Sequence, residues 1–332
     1  MAHTQWSSLM QGMIDQERRG DGCMPLRFTP AQMAVYADDP GYHACSQASS
    51  GMCLDCETDA EELILEGDAF RGSTRDIWSF DLLVDKRLFA HKEDSIAQTP
   101  HVNWRVKLPE GRKRVQLYFP CLASVLISRL EWLGGTETLP VVPGKRLLCL
   151  GDSITQGYTV HFPSLSYAAR LAAALDMALL NQAIAGETFH AAMLDGALGF
   201  IPDLITVAYG TNDWSCKPRE MLVRDAEEYL NGVRRLWPRV PLVVVGPLWR
   251  GDQEQFPERF PFTDLQSILA SAAKRHDACF VWGDELFPAV PELMQDAFLH
   301  PNDLGQALYG ERLVSALKRR QGRNFPDGKA TW

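Results

Sequence analysis

The stretch Arg146-Leu147-Leu148-Cys149-Leu150-Gly151-Asp152-Ser153-Ile154-Thr155-Gln156-Gly157 decides the fold. Four apolar residues in a row after a basic pair read as a strand buried on both faces, and Gly-Asp-Ser follows directly, before the next helix. That places a serine hydroxyl at the carboxyl end of a strand. In open parallel α/β sheets ligands bind at that edge, and Gly151 lets the backbone turn sharply there, so Ser153 is a nucleophile candidate. The alternative is that Asp152 or Ser153 caps the following helix.

Working outward toward the C-terminus, strand-like segments at 146–150, 178–181, 204–209, 242–246 and 278–282 alternate with helical ones at 166–177, 220–237, 263–275 and 304–319. Such alternation implies a parallel sheet covered on both sides. Toward the N-terminus the pattern changes. Glu62–Gly67, Trp78–Asp85 and Val115–Pro120 alternate apolar with polar residues between turn signals, among them Asp38-Asp39-Pro40-Gly41. A period of two in turn-separated segments predicts an antiparallel β-sandwich. The apolar residues Trp6, Leu9, Met10, Met13 and Ile14 fit a helix, while Gly12 and the run Glu17–Gly22 also suit a strand entering a hairpin, and both readings stand. The segment 134–144 carries three glycines and two prolines, which places a boundary between a sandwich domain at 1–143 and a second domain at 144–332. The tail 321–332, polar with Gly and Pro, is expected on the surface.

The 332 residues exceed the usual span of one domain, roughly 150 residues, and suggest two. With 46% hydrophobic and 23% charged residues the composition is that of a globular protein. A net charge of −9 and a pI near 5.4 argue against nucleic acid or an anionic membrane as partner. The dense basic run Gly111-Arg112-Lys113-Arg114 reads as a solvated turn before a strand. Eight scattered cysteines are too few for a disulfide scaffold and suggest reduced thiols, hence a cytoplasmic location. Cys53-Leu54-Asp55-Cys56 is a lone CxxC, read as structural. Neither a signal-peptide pattern nor an 18-residue apolar run is present.

Three further blocks follow the opening stretch in order: Asn181-Gln182-Ala183-Ile184-Ala185-Gly186-Glu187-Thr188, Gly210-Thr211-Asn212-Asp213, and His300-Pro301-Asn302-Asp303-Leu304-Gly305. Together with Gly151-Asp152-Ser153 they resemble the four blocks of the SGNH/GDSL hydrolase superfamily, GDSL-like lipases and acylhydrolases. The resemblance implies a three-layer, flavodoxin-like parallel sheet. The strand-rich first half is similar, more weakly, to the jelly-roll-like sandwich of two-domain GDSL acylhydrolases, acyltransferases and some carbohydrate esterases.

Acyl transfer needs a nucleophile, a base and donors for the developing oxyanion. Ser153 is the candidate nucleophile and His300 the candidate base, because an imidazole can take the serine proton and return it to the leaving group. By resemblance the oxyanion hole comprises the backbone N–H groups of Ser153 and Gly186 and the side-chain amide of Asn212. Taken alone, Gly186 and Asn212 also read as turn residues. The superfamily places an Asp three residues before the His, whereas position 297 is Ala and the nearest acid, Asp296, lies four before His300. Either a backbone irregularity brings Asp296 to the imidazole, or a backbone carbonyl orients it in a Ser-His dyad, as in some carbohydrate esterases. Ala183 stands where relatives often have Gly.

Tyr158, Trp214 and Trp249 are weaker candidates for substrate contact, and His161 and His190 could line a pocket. With no HExxH, GxxxxGK[ST] or strand-linked GxGxxG pattern, no metal or cofactor is expected. The expected activity is that of a serine ester hydrolase removing a short acyl group, acetyl foremost, from a carbohydrate or related small molecule. An acyltransferase with the same serine is the alternative, and a non-catalytic carbohydrate-binding protein is another.

Overall fold

The computed structural model describes residues 6–320. The expectation for 321–332 lies outside them. By compactness the chain divides into two units: Met1–Gly144 with His161–Ser164 and Ala178–Leu180, and Lys145–Val160 with Leu165–Met177 and Asn181–Trp332.

The first unit is built from eleven strands among the described residues: β1 (Met10–Gln11), β2 (Asp15–Arg19), β3 (Gly22–Leu26), β4 (Cys53–Thr58), β5 (Glu62–Arg71), β6 (Trp78–Val84), β7 (Arg87–Asp94), β8 (His101–Lys107), β9 (Lys113–Tyr118), β10 (Ala123–Leu133) and β11 (Thr138–Pro140). One sheet runs β1-β4-β9-β6-β7 with β11 paired to β4, and the other runs β2-β3-β10-β5-β8. Strand β8 shows the cause plainly: Val102, Trp104 and Val106 are buried while His101, Asn103, Arg105 and Lys107 are exposed. Leu54, Phe80, Leu82 and Leu117 from one sheet join Leu63, Leu65, Val125 and Ile127 from the other in a single core. Two sheets that each present one apolar face bury it against one another.

Two local expectations need correction, and one left open is decided. Asp39-Pro40 starts a helix and not a simple turn: α2 (Pro40–Gln47) has Asp39 as its N-cap, accepting from the N–H groups of Gly41 and Tyr42. Likewise α1 (Pro30–Val35) opens on a capping box between Thr29 and Gln32. Proline at the first helical position needs no N–H there, so the same residue that marks a turn also starts a helix. The basic run is a solvated turn only at Gly111 and Arg112, because Lys113 and Arg114 already belong to β9. Lys113 is buried and donates to the Ala60 carbonyl at 2.6 Å, and Arg114 forks onto buried Asp55 at 2.8 and 2.6 Å. Of the two readings of the first residues, a 3₁₀ turn at Trp6–Leu9 followed by strands is what forms.

The third sheet has the order β13 (Met177–Asn181), β12 (Lys145–Gly151), β14 (Leu204–Ala208), β15 (Leu242–Val245) and β16 (Cys279–Val281). Strands β12, β14, β15 and β16 pair in parallel. Taken in chain order this is 2-1-3-4-5. From β12 the chain moves one way across the sheet and from β14 the other way, so right-handed crossovers put the connecting helices on opposite faces. Accordingly α4 (Tyr167–Leu175) packs with α9 (Asp303–Arg320), and α6 (Arg219–Leu236) with α7 (Phe262–Arg275). The reversal of direction leaves a crevice at the carboxyl ends of β12 and β14, where ligands bind in such sheets. Among the described residues no helix is long and apolar enough to cross a membrane.

Candidate active site

Gly151 ends β12, and a Cβ there would come within 2.2 Å of Thr155 Oγ1 and 3.0 Å of the Ala208 carbonyl oxygen. Only glycine lets the backbone pass so close. The next residue, Asp152, is the N-cap of α3 (Ser153–Gln156) and accepts from Ile154 N–H at 3.0 Å. Capping is thus the task of Asp152, and Ser153, the first helical residue, keeps its hydroxyl for another partner. Burial raises the Asp152 carboxyl to about 7, with buried Asp213 adding repulsion, although the Ile154 N–H favours its charged form.

That partner is His300, whose Nε2 lies 3.0 Å from Ser153 Oγ. The other ring nitrogen, Nδ1, lies 2.6 Å from Asp296 Oδ2. The four-residue spacing is accommodated by Ala297, which adopts φ +68°, a left-handed conformation rare for a residue with a Cβ. The kink folds the segment back on the carboxylate, so that Asp296 Oδ1 accepts the N–H groups of Phe298, Leu299 and His300 at 3.1, 2.8 and 3.0 Å. Burial works against a charge on Asp296, but the bond to His300 and these three N–H groups outweigh it and hold the carboxyl well below the usual range. A backbone irregularity was one of the two routes open from sequence, and it is the one the chain takes to bring Asp296 to the imidazole.

The loop bearing His300 is fixed from several sides. Thr159 Oγ1 donates to the Pro301 carbonyl at 2.6 Å, the Tyr158 ring lies 4.7 Å from the imidazole, and Gly251 N–H donates to the Phe298 carbonyl at 2.7 Å. Asn302 Oδ1 accepts from Gly305 N–H at 3.0 Å at the start of α9.

Gly186 is exposed at φ +85° on the loop after β13. That loop is tied beneath the serine: Ile184 N–H donates to the Gly151 carbonyl at 3.1 Å, and Ala185 N–H to Gln156 Oε1 at 2.7 Å. Asn212, in α5 (Thr211–Cys216), donates its amide to the Glu187 carbonyl at 2.9 Å. The Ser153, Gly186 and Asn212 blocks are therefore linked by hydrogen bonds at one sheet edge. Asp213 beside them is buried and accepts Phe189 N–H at 3.1 Å. Burial raises its carboxyl, against the opposing pull of Lys217 at 2.8 Å.

Among the aromatic candidates, Tyr158 is the one whose ring lies against the imidazole. Trp214 is core: it is 2% exposed and its indole N–H donates to the Phe260 carbonyl at 2.8 Å. Trp249 is half-buried over Gly251. His190 pairs with buried Glu187 at 3.4 Å, and His161 belongs to the first unit.

One structural element was missed by sequence reasoning. Arg250, 3% exposed, forks onto Asp252 at 2.6 and 2.7 Å, donates to both oxygens of Thr211, and lies over the rings of Trp214 and Phe256. It braces the start of α5, which carries Asn212. The available signal was position: a charged pair two residues apart, just past a buried strand, at the ligand-binding edge. Among the described residues no cluster of His, Cys, Asp or Glu could hold a metal ion.

In fold the chain is similar to a salicylyl-acyltransferase from a tetracycline biosynthetic pathway, at 20% identity over 93% of this chain and 94% of that one, with a TM-score of 0.79. It is also similar to a family two carbohydrate esterase from Clostridium thermocellum in complex with cellohexaose (18% identity, 83% and 94% covered, TM-score 0.65). A family two carbohydrate esterase from Cellvibrio japonicus is a third (18%, 95% and 96%, TM-score 0.64). No curated protein matches by sequence. The sequence does match the GDSL-like lipase/acylhydrolase family over residues 149–308, a span that contains Ser153, Gly186, Asn212, Asp296 and His300. Residues 149–308 are therefore a GDSL-like lipase/acylhydrolase domain, as found in ester hydrolases.

Proposed function

We propose that the protein is a serine ester hydrolase that removes a short acyl group, acetyl foremost, from a carbohydrate or related small molecule. The observation that carries this reading is the continuous chain from Ser153 Oγ through His300 to Asp296, at 3.0 and 2.6 Å. In the first step Ser153 Oγ attacks the ester carbonyl as its proton passes to His300 Nε2. Asp296 holds the Nδ1–H tautomer and stabilises the imidazolium. The oxyanion is met by the N–H groups of Ser153 and Gly186 and the amide of Asn212, each such donor contributing about 3 kcal/mol in the transition state. His300 then protonates the departing alkoxide, leaving an acyl-serine. A water molecule gives its proton to His300 and attacks the acyl carbon; the intermediate then expels Ser153 Oγ, which takes that proton back from His300 Nε2 as the acid is released.

The carbohydrate part of the reading draws on the fold shared with family two carbohydrate esterases. A second reading, transfer of the acyl group to an alcohol or amine, draws on the likeness to an acyltransferase along nearly the whole chain. The scattered cysteines favour a reducing, cytoplasmic setting. Turnover of p-nitrophenyl acetate, butyrate and octanoate by the wild type and Ser153→Ala tests the proposal. Hydrolysis with preference for acetate and loss in Ser153→Ala is expected. Turnover that survives Ser153→Ala, or none of any ester, would overturn it, and acyl capture by added alcohols in preference to water would favour transfer.

A further inference from the structure

The first unit carries an open surface cavity of about 580 Å³, within the 300–1,000 Å³ range of small-molecule sites. Arg75 and Asp76, from the turn between β5 and β6, line it together with Glu93, Asp94 and Ser95 at the end of β7, and with His161.

Its wall is held by a hydrogen-bonded frame. Asp76 pairs with Arg71 at 2.8 Å, accepts from Ser95 Oγ at 2.6 Å and takes Ala97 N–H at 3.0 Å. Glu93 Oε2 lies 2.9 Å from His161 Nδ1. The short segment bearing His161 is seated on the outer face of β6 and β7. Fully buried Asp81 takes both the N–H and the hydroxyl of Ser164, at 2.8 and 2.5 Å, and its other oxygen lies 2.7 Å from His91 Nδ1. Phe162 stacks on the His91 ring at 4.1 Å. These contacts fix the cavity in shape before any ligand arrives.

Within this wall two charges are left without a counter-charge. The guanidinium of half-buried Arg75 has no hydrogen-bond or ion-pair partner among the described residues, its backbone N–H alone being engaged, by Ser73. Asp94 accepts only the N–H of Ser95 through its side chain, at 2.8 Å. A guanidinium matches a carboxylate as a two-pronged donor. The acids around it disfavour a phosphate dianion and accept hydrogen bonds from hydroxyl groups. We infer that this cavity binds a hydroxylated carboxylate of the sugar-acid class, with Arg75 on the carboxylate and Asp94 and Glu93 on the ring hydroxyls. The site lies wholly in the first unit, and the inference goes beyond ester hydrolysis without depending on it.

Calorimetric titration of the full chain with glucuronate, glucose, glucuronamide and serine tests the inference. Glucuronate should bind about ten-fold or more tighter than the two uncharged sugars, since the difference is one charge-assisted pair. Arg75→Ala should remove that preference while leaving the melting temperature and p-nitrophenyl acetate turnover unchanged. Equal binding of glucuronate and glucose, binding untouched by Arg75→Ala, or preference for serine over glucuronate would each overturn it. Absence of esterase activity would not, because binding is read without turnover.

Discussion

Asp296→Asn isolates the part of the site whose sequence spacing departs from the family pattern. The amide oxygen of Asn can still accept the N–H groups of Phe298, Leu299 and His300, so the kink at Ala297 keeps its partners. The other oxygen, 2.6 Å from His300 Nδ1, becomes an NH₂ group. It can only donate, so Nδ1 must accept and the ring proton moves to Nε2, the atom 3.0 Å from Ser153 Oγ. A protonated neutral Nε2 cannot take the serine proton. Where an Asp acts only by fixing this tautomer, the Asn variant loses about 10⁴ in kcat, equal to about 5 kcal/mol of activation free energy. The assay is kcat for p-nitrophenyl acetate, with circular dichroism melts to show that the fold is kept. There is also a stability signature. The folded-state carboxyl is depressed, so its contribution is present above the ordinary carboxylate value and lost as pH falls through the lowered one. Asp296→Asn should therefore flatten the acid limb of the stability curve. A folded Asn variant within about ten-fold of wild-type kcat would refute the reasoning and favour a Ser-His dyad.

Asn212→Ala should lower kcat by about 10²–10³ with little change in KM, as loss of a donor used mainly in the transition state does; an effect confined to KM would count against an oxyanion role. Arg250→Ala leaves Asp252, 7% exposed, without its partner and should cost about 3–5 kcal/mol in urea unfolding. Arg250→Lys should recover little, because the two-pronged bond is lost; a loss under 1 kcal/mol for Arg250→Ala would show that the pair is solvated. Asp152, raised to about 7, binds its proton more tightly folded than unfolded. Its contribution is therefore full below the ordinary value of 3.8 and fades as pH rises toward 7, by up to about 1.4 kcal/mol per pH unit. Asp152→Asn should abolish that slope, and an unchanged slope between pH 4 and 7 would place the titrating group elsewhere.

Periodicity and order made much of this chain legible in advance. The buried run before Gly151, and the alternation Val102, Trp104, Val106, depend only on which faces of a strand meet water, and that is written residue by residue. The order of the four blocks, together with alternating strands and helices, placed Ser153, Gly186, Asn212 and His300 at one sheet edge, because parallel crossovers return every strand's carboxyl end to the same side. Lys113 read as solvent-facing but is buried, since the connection between β4 and β5 supplies the Ala60 carbonyl that satisfies its ammonium. Asp39-Pro40 read as a turn because a helix start and a turn use the same residues. Asp252 beside Arg250 was in plain view, but the burial of the pair was not, because Thr211 and the ring faces of Trp214 and Phe256 close over it only in packing. The reach of Asp296 to His300 was left open by spacing alone. It depends on the left-handed backbone of Ala297, a conformation that alanine does not favour and that is held in place here by the three N–H groups folded onto Asp296.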